Sequence, residues 1–152
     1  MMRFNQAFEV LDHLIEVYVA IGSTYERLIN EVKVERTRML LHYLYDKQQE
    51  NTQFLKDVKL RMPEALLQTW IDEDIEKSII NSSKQLYVNA DITTDDLMEH
   101  VHDLHSQTIN WLNVTVSVIP NNEMHNQLQN ISESLNQRYK QLVQAVNRMD
   151  DM

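Results

Sequence analysis

A chain of 152 residues with one glycine, two prolines and no cysteine is long enough for one domain with a sizeable core. It lacks the turn formers that sheets and loop-rich folds need, which points to long helices. The missing thiols exclude disulfides, thiol catalysis and thiolate metal sites, and a net charge of −9 disfavours nucleic acid and anionic membranes as partners.

The opening stretch, MMRFNQAFEVLDHLIEV, breaks every apolar run with charge and lacks the apolar core of a secretory signal. No segment approaches the roughly 18 uninterrupted apolar residues of a membrane span. The expectation is a soluble, cytoplasmic protein. Its first stripe is Phe4, Phe8, Leu11, Ile15, Tyr18, Gly22, Tyr25 and Ile29, flanked by Leu14, Ile21 and Leu28. It keeps helical phase for about seven turns. Gly22 lies on the stripe, where a missing side chain would let a neighbouring helix come close.

A short break near Asn30 to Lys33 separates this from a second stripe of Val34, Leu41, Leu44, Tyr45, Gln48, Asn51, Leu55, Val58 and Met62. Pro63 should end that helix, because the residue before proline avoids helical geometry. A break this short predicts antiparallel neighbours, a first hairpin over 3–62. From Pro63 to Thr93 the pattern weakens. PEALLQTWIDEDIEKSII predicts a short helix with Leu67, Trp70, Ile71 and Ile75 on one side, its DEDIE run being a solvated face, and NSSKQLYVNADIT predicts irregular chain.

Thr94 or Asp95 is expected to cap the next helix. Its stripe is Leu97, Val101, His105, Ile109 and Leu112, and Pro120 closes it. LNVTVSVI, Leu112 to Ile119, alternates with a period of two as strands do, but it continues a long helical pattern and is read as helix. The last stripe is Met124, Leu128, Ile131, Leu135, Arg138, Leu142, Ala145 and Met149. The second hairpin therefore spans 94–150, joined to the first by a crossover over 63–93, within a single domain of 1–152.

Shifting the chain by 87 residues superimposes the two hairpins in hydrophobic phase: Leu11 on Met98, Leu14 on Val101, Leu41 on Leu128, Leu44 on Ile131 and Leu55 on Leu142. Identities at this offset are few, so the echo is one of phase and break position. A helix of about 28 residues is roughly 40 Å long, and a 31-residue link can travel back along it, leaving the second and third long helices parallel.

Two helical hairpins, a long crossover and this phase resemble the ferritin-like superfamily, including rubrerythrin-type proteins. The resemblance implies an all-α, antiparallel four-helix bundle. In that family the first and third helices each offer an inward glutamate, and the second and fourth each offer Glu-x-x-His, around two iron or manganese ions. The second helix of such proteins reads like L-A-D-E-E-x-E-H-x-x-F-L, against LYDKQQENTQFL at Leu44 to Leu55 here. Carried over position by position, the second-helix pair falls on Gln48 and Asn51 and the fourth-helix pair on Leu135 and Arg138. The single positions fall on Tyr18 and His105. None of the six is a carboxylate. Two divalent ions need anionic oxygens, so neither a dimetal centre nor any other cofactor is expected.

His102 and His105 form an i,i+3 pair that could share a face, but without a carboxylate partner they are read, with His100, as two surface residues and one lining the core. Tyr18, Gln48, Asn51 and His105 lie at similar heights on inward stripes. They either satisfy one another as a connected polar layer or point to separate helix seams. One glycine allows no Gly-rich phosphate loop, and NVT and NIS are discounted as glycosylation triplets for want of a signal. Extra apolar residues beside the stripes, Val10, Val17 and Val19 on the first helix with Val114 and Val118 on the third, suggest a face for a homodimer. The expectation is thus a non-enzymatic binding or structural module without a dimetal centre. The alternatives are a dimetal oxidase, peroxidase or iron-storage relative with unusual ligands, or an acidic helical adaptor for an unknown protein partner.

Overall fold

The structure is a computed structural model, and it describes residues 6–71 and 86–150. Four long helices carry it: α1 (Ala7–Glu31), α2 (Glu35–Arg61), α4 (Thr94–Ser117) and α5 (Asn122–Asp150), with a single short turn of helix, α3 (Glu64–Leu67), after α2. Among the described residues the remaining regular pairing is one isolated antiparallel bridge between Gln6 and Trp70. No helix among them is long and apolar enough to cross a membrane.

Local chemistry sets the helix ends. Glu9 reaches back to the Gln6 amide at 3.5 Å, which ties off an orphan donor at the start of α1. Met62, preceding Pro63, is extended with ψ 135°, and α2 stops there as the proline demands. The cap of α4 is Thr93, one residue earlier than expected, its hydroxyl accepting from the Asp96 amide at 3.2 Å. Asn121 does the same for α5, accepting from the Met124 amide at 2.9 Å. The LNVTVSVI stretch is helical as far as Ser117 and turns at Val118. Its alternation is overridden because Val116 is buried and Val114 is 59% exposed, which places them on different sides of a helix.

Side-chain pairs give the helix directions. Asp12 near the start of α1 pairs with Lys59 near the end of α2, so these two are antiparallel. His102–Tyr139, His105–Asn136 and Asn113–Ser132 climb α4 while descending α5, which makes the second antiparallel hairpin. The link between hairpins leaves at one end, where the Ala7 amide donates to the Thr69 carbonyl at 2.8 Å. It rejoins at the other, where the Lys33 amide donates to the Ala90 carbonyl at 2.9 Å and the Thr37 hydroxyl to the Ile92 carbonyl at 2.8 Å. Its described ends therefore lie at opposite ends of the first hairpin, and α2 and α4 start from the same end. His13 on α1, packed edge-on to Trp111 on α4 at 5.1 Å, shows that those two run in opposite directions.

The expected crossover helix is shorter than the sequence suggests. Past Leu67 the chain extends to pair with Gln6 and Ala7. Side chains then alternate in direction, so Ile71 is buried and Trp70 is 66% exposed, not inward beside it. Ile75 and the DEDIE run lie outside the described residues. Of the extra valines, Val10 and Val17 are fully buried within the chain and Val118 packs against the core, while Val19 and Val114 are exposed. Most of that face serves the chain's own core.

Leu11, Leu14, Leu41, Leu55, Leu97, Leu112 and Leu128 are fully buried in one shared core. Buried threonines behave there almost as valines. Thr24, Thr52, Thr108 and Thr115 each donate their hydroxyl to the carbonyl four residues back, at 2.8–3.0 Å, which leaves no donor unpaired. Gly22 faces α2, but a β-carbon there would sit 3.6 Å from the nearest atom, Cγ of Gln48, an ordinary contact. Close approach does not require the glycine. Gly22→Ala is therefore expected to stabilise the protein by about 0.5–1 kcal/mol through helix propensity, measured by urea denaturation. Thr37→Val removes the donor to the buried Ile92 carbonyl and should cost about 1–2 kcal/mol in the same measurement.

Candidate functional site

A cavity of about 380 Å³ opens in the middle of the four long helices, within the size range of small-molecule sites. Tyr18 from α1, Gln48 and Asn51 from α2, His105 from α4, and Leu135 and Arg138 from α5 all line it. The helical phase that places apolar neighbours in the core delivers these six side chains to one space.

They do not form one closed network. Among the described residues no hydrogen bond joins the side chains of Tyr18, Gln48, Asn51 and His105 to one another. Gln48 Nε2 donates to the main-chain carbonyl of Tyr18 at 3.2 Å. Asn51 Oδ1 accepts from Arg138 Nη1 at 3.2 Å, and the guanidinium carbon of Arg138 lies 4.2 Å from the centre of the Phe54 ring, a cation–π distance. His105 turns into the α4–α5 seam. Its Nε2 is 2.9 Å from Asn136 Oδ1, and its ring stacks on Tyr139 at 4.0 Å and 12°. The Gln48, Asn51 and His105 side chains each take a partner within reach on an adjoining helix.

The two histidines of the i,i+3 pair are already engaged. His102 Nδ1 meets the Tyr139 hydroxyl at 2.9 Å, and its Nε2 lies 3.4 Å from the Ser106 hydroxyl. Burial lowers the His105 pKa from its ordinary 6.5, with the nearby His102 acting the same way and the Asn136 bond opposing. The ring is neutral at neutral pH. Burial raises the phenol pKa values of Tyr18 and Tyr25, with the Arg138 charge opposing at Tyr18 and the other two phenols reinforcing at Tyr25. Both phenols are neutral hydroxyls, suited to donating hydrogen bonds.

Sequence phase did not single out Tyr25, Tyr139 or Lys47 as cavity residues, although all three line it. Tyr25 had a signal, lying two turns beyond Tyr18 on the same stripe. Tyr139 and Lys47 had none, because each is one residue away from an inward position and reaches the space from its edge.

The donor set does not fit a pair of divalent cations. The carboxylate in the lining is Glu50, which is exposed and held by Lys47 Nζ at 3.2 Å. A guanidinium, that of Arg138, lines the same space, and hard divalent ions require anionic oxygens. Among the described residues no group of three or more His, Asp or Glu side chains is placed to hold a metal ion. No protein-family model, curated protein or solved structure matches the chain, so its reading rests on this geometry.

A lowered His105 pKa means the unfolded chain takes up a proton before the folded one does. Stability should therefore fall as pH drops through 6.5 and level off below the folded-state value. The loss in melting temperature between pH about 7.5 and about 5.5 is expected to shrink in His105→Gln, which cannot titrate there; scanning calorimetry of both proteins checks it.

Proposed function

We propose that the protein is a ferritin-like antiparallel four-helix bundle that works as a non-enzymatic binding module, with a small-molecule cavity where its relatives by pattern would hold two metal ions. One observation carries this. The six positions at the family's ligand phase all line a single cavity, and they present a phenol, two amides, an imidazole, a leucine and a guanidinium in place of four carboxylates and two imidazoles. The crossover that leaves α2 and α4 starting from the same end supports the same architecture.

The lining suits holding a ligand better than transforming one. Its phenols and its imidazole are neutral, its guanidinium is a fixed charge, and its carboxylate is paired at the surface. Redox chemistry by a dimetal centre would need ligands these positions do not offer.

Elemental analysis tests this directly. After incubation with excess ferrous or manganous ion and desalting, the purified protein is expected to retain far less than one ion per chain. A tightly held pair of ions per chain would overturn the reading.

A further inference from the structure

Arg138 is more than a packing residue. The residue is half-buried, yet among the described residues the partners of its guanidinium are neutral: the Asn51 side chain at 3.2 Å and the face of Phe54 at 4.2 Å. A cation drawn out of water is costly unless an anion meets it. Most of its five N–H donors are uncommitted.

Two further donors share the space. Tyr18 and Tyr25 are 5% and 3% exposed and both line the cavity. Neither hydroxyl bonds to a protein group among the described residues, whereas buried phenols ordinarily find partners. Arg138 lines the same cavity, so the three groups border one space. The cavity thus gathers donors in its interior, while its carboxylate, Glu50, is held at the exposed rim by Lys47.

Charge and wall fix the ligand's character. Lys47 is answered by Glu50 at 3.2 Å, and Arg148 in the lining is exposed to solvent. That leaves Arg138 as the interior cation of this lining, with no carboxylate beside it among the described residues, which matches a single negative charge better than a phosphate dianion. Ile21, Leu44, Val101 and Leu135 line the same cavity and offer an apolar surface for the rest of the molecule.

Building on the binding-module reading, we infer that the cavity takes a small organic monocarboxylate. The carboxylate sits between Arg138 and the Tyr18 and Tyr25 hydroxyls, and its apolar body lies against the aliphatic wall. Arginine's planar fork is suited to a carboxylate, and the neutral phenols supply the remaining hydrogen bonds.

Isothermal calorimetry on the full chain tests this with octanoate and benzoate as probes. Octanol and benzyl alcohol serve as neutral counterparts, and inorganic phosphate as an anion without a body. At least one carboxylate probe is expected to bind saturably at one site, with its neutral counterpart and phosphate at least about tenfold weaker. Arg138→Gln and Tyr18→Phe should each weaken that probe by about tenfold or more. Tyr18→Phe removes a hydroxyl without a protein partner, so it keeps the fold and preserves the test if Arg138→Gln does not fold. Absence of saturable binding by both probes, equal binding of the alcohols, or undiminished binding by Tyr18→Phe overturns the assignment. Metal analysis of the same preparation separates the two ideas. A retained pair of iron or manganese ions sinks the binding-module reading, whereas metal-free protein that ignores both probes sinks only the carboxylate.

Discussion

Four apolar stripes can leave water together by facing a common interior, and that requirement carries their polar members inward as well. Tyr18, Gln48, Asn51, His105 and Arg138 share stripes with leucines that are fully buried. A buried polar group without a partner costs roughly 1–3 kcal/mol, so the middle of the protein is where the chain has most to satisfy. It does so over short distances. Gln48 uses a main-chain carbonyl on α1, Asn51 uses Arg138, and His105 uses Asn136 and Tyr139. Partners taken at the walls leave the centre open, and the cavity is the space between these separate pairings.

The internal echo gives that cavity its asymmetry. Asn51 and Arg138, 87 residues apart and so at matching phase in the two hairpins, are hydrogen-bonded to each other at 3.2 Å. The first hairpin contributes an amide there and the second a guanidinium. Gln48 likewise corresponds to Leu135, and Tyr18 to His105. Hydrogen-bonding groups come mainly from one hairpin and the fixed charge from the other, so the two sides of the cavity differ in character.

Much of the architecture was legible because it is local. Pro63 and Pro120 each follow the end of a helix that could not have run through them, and a 3.6-residue phase held over many turns needs no tertiary help to be read. Misreadings came where distant chain intervened. Trp70 looked inward by helical phase, but backbone pairing with Gln6, over 60 residues away, extends the chain and turns it out. Val10 and Val17 looked surplus to the first stripe, yet four helices around one core bury a wider arc of α1 than a two-helix seam would, and both are fully buried. LNVTVSVI could be read with either period, and burial of Val116 within the helical core decides it.

By itself the sequence determined that the chain is helical, near which residues its long helices end, and that six particular positions share the phase of the apolar stripes with no carboxylate among them. These follow from residue type and spacing, which act within a few turns of the chain. Only the tertiary structure decided that those positions border open space instead of a closed network, that His105 leans into the α4–α5 seam, and that Arg138 finds neutral partners. Those outcomes depend on how far each side chain reaches across a seam and on what the opposite helix presents there. No spacing rule along one chain encodes that.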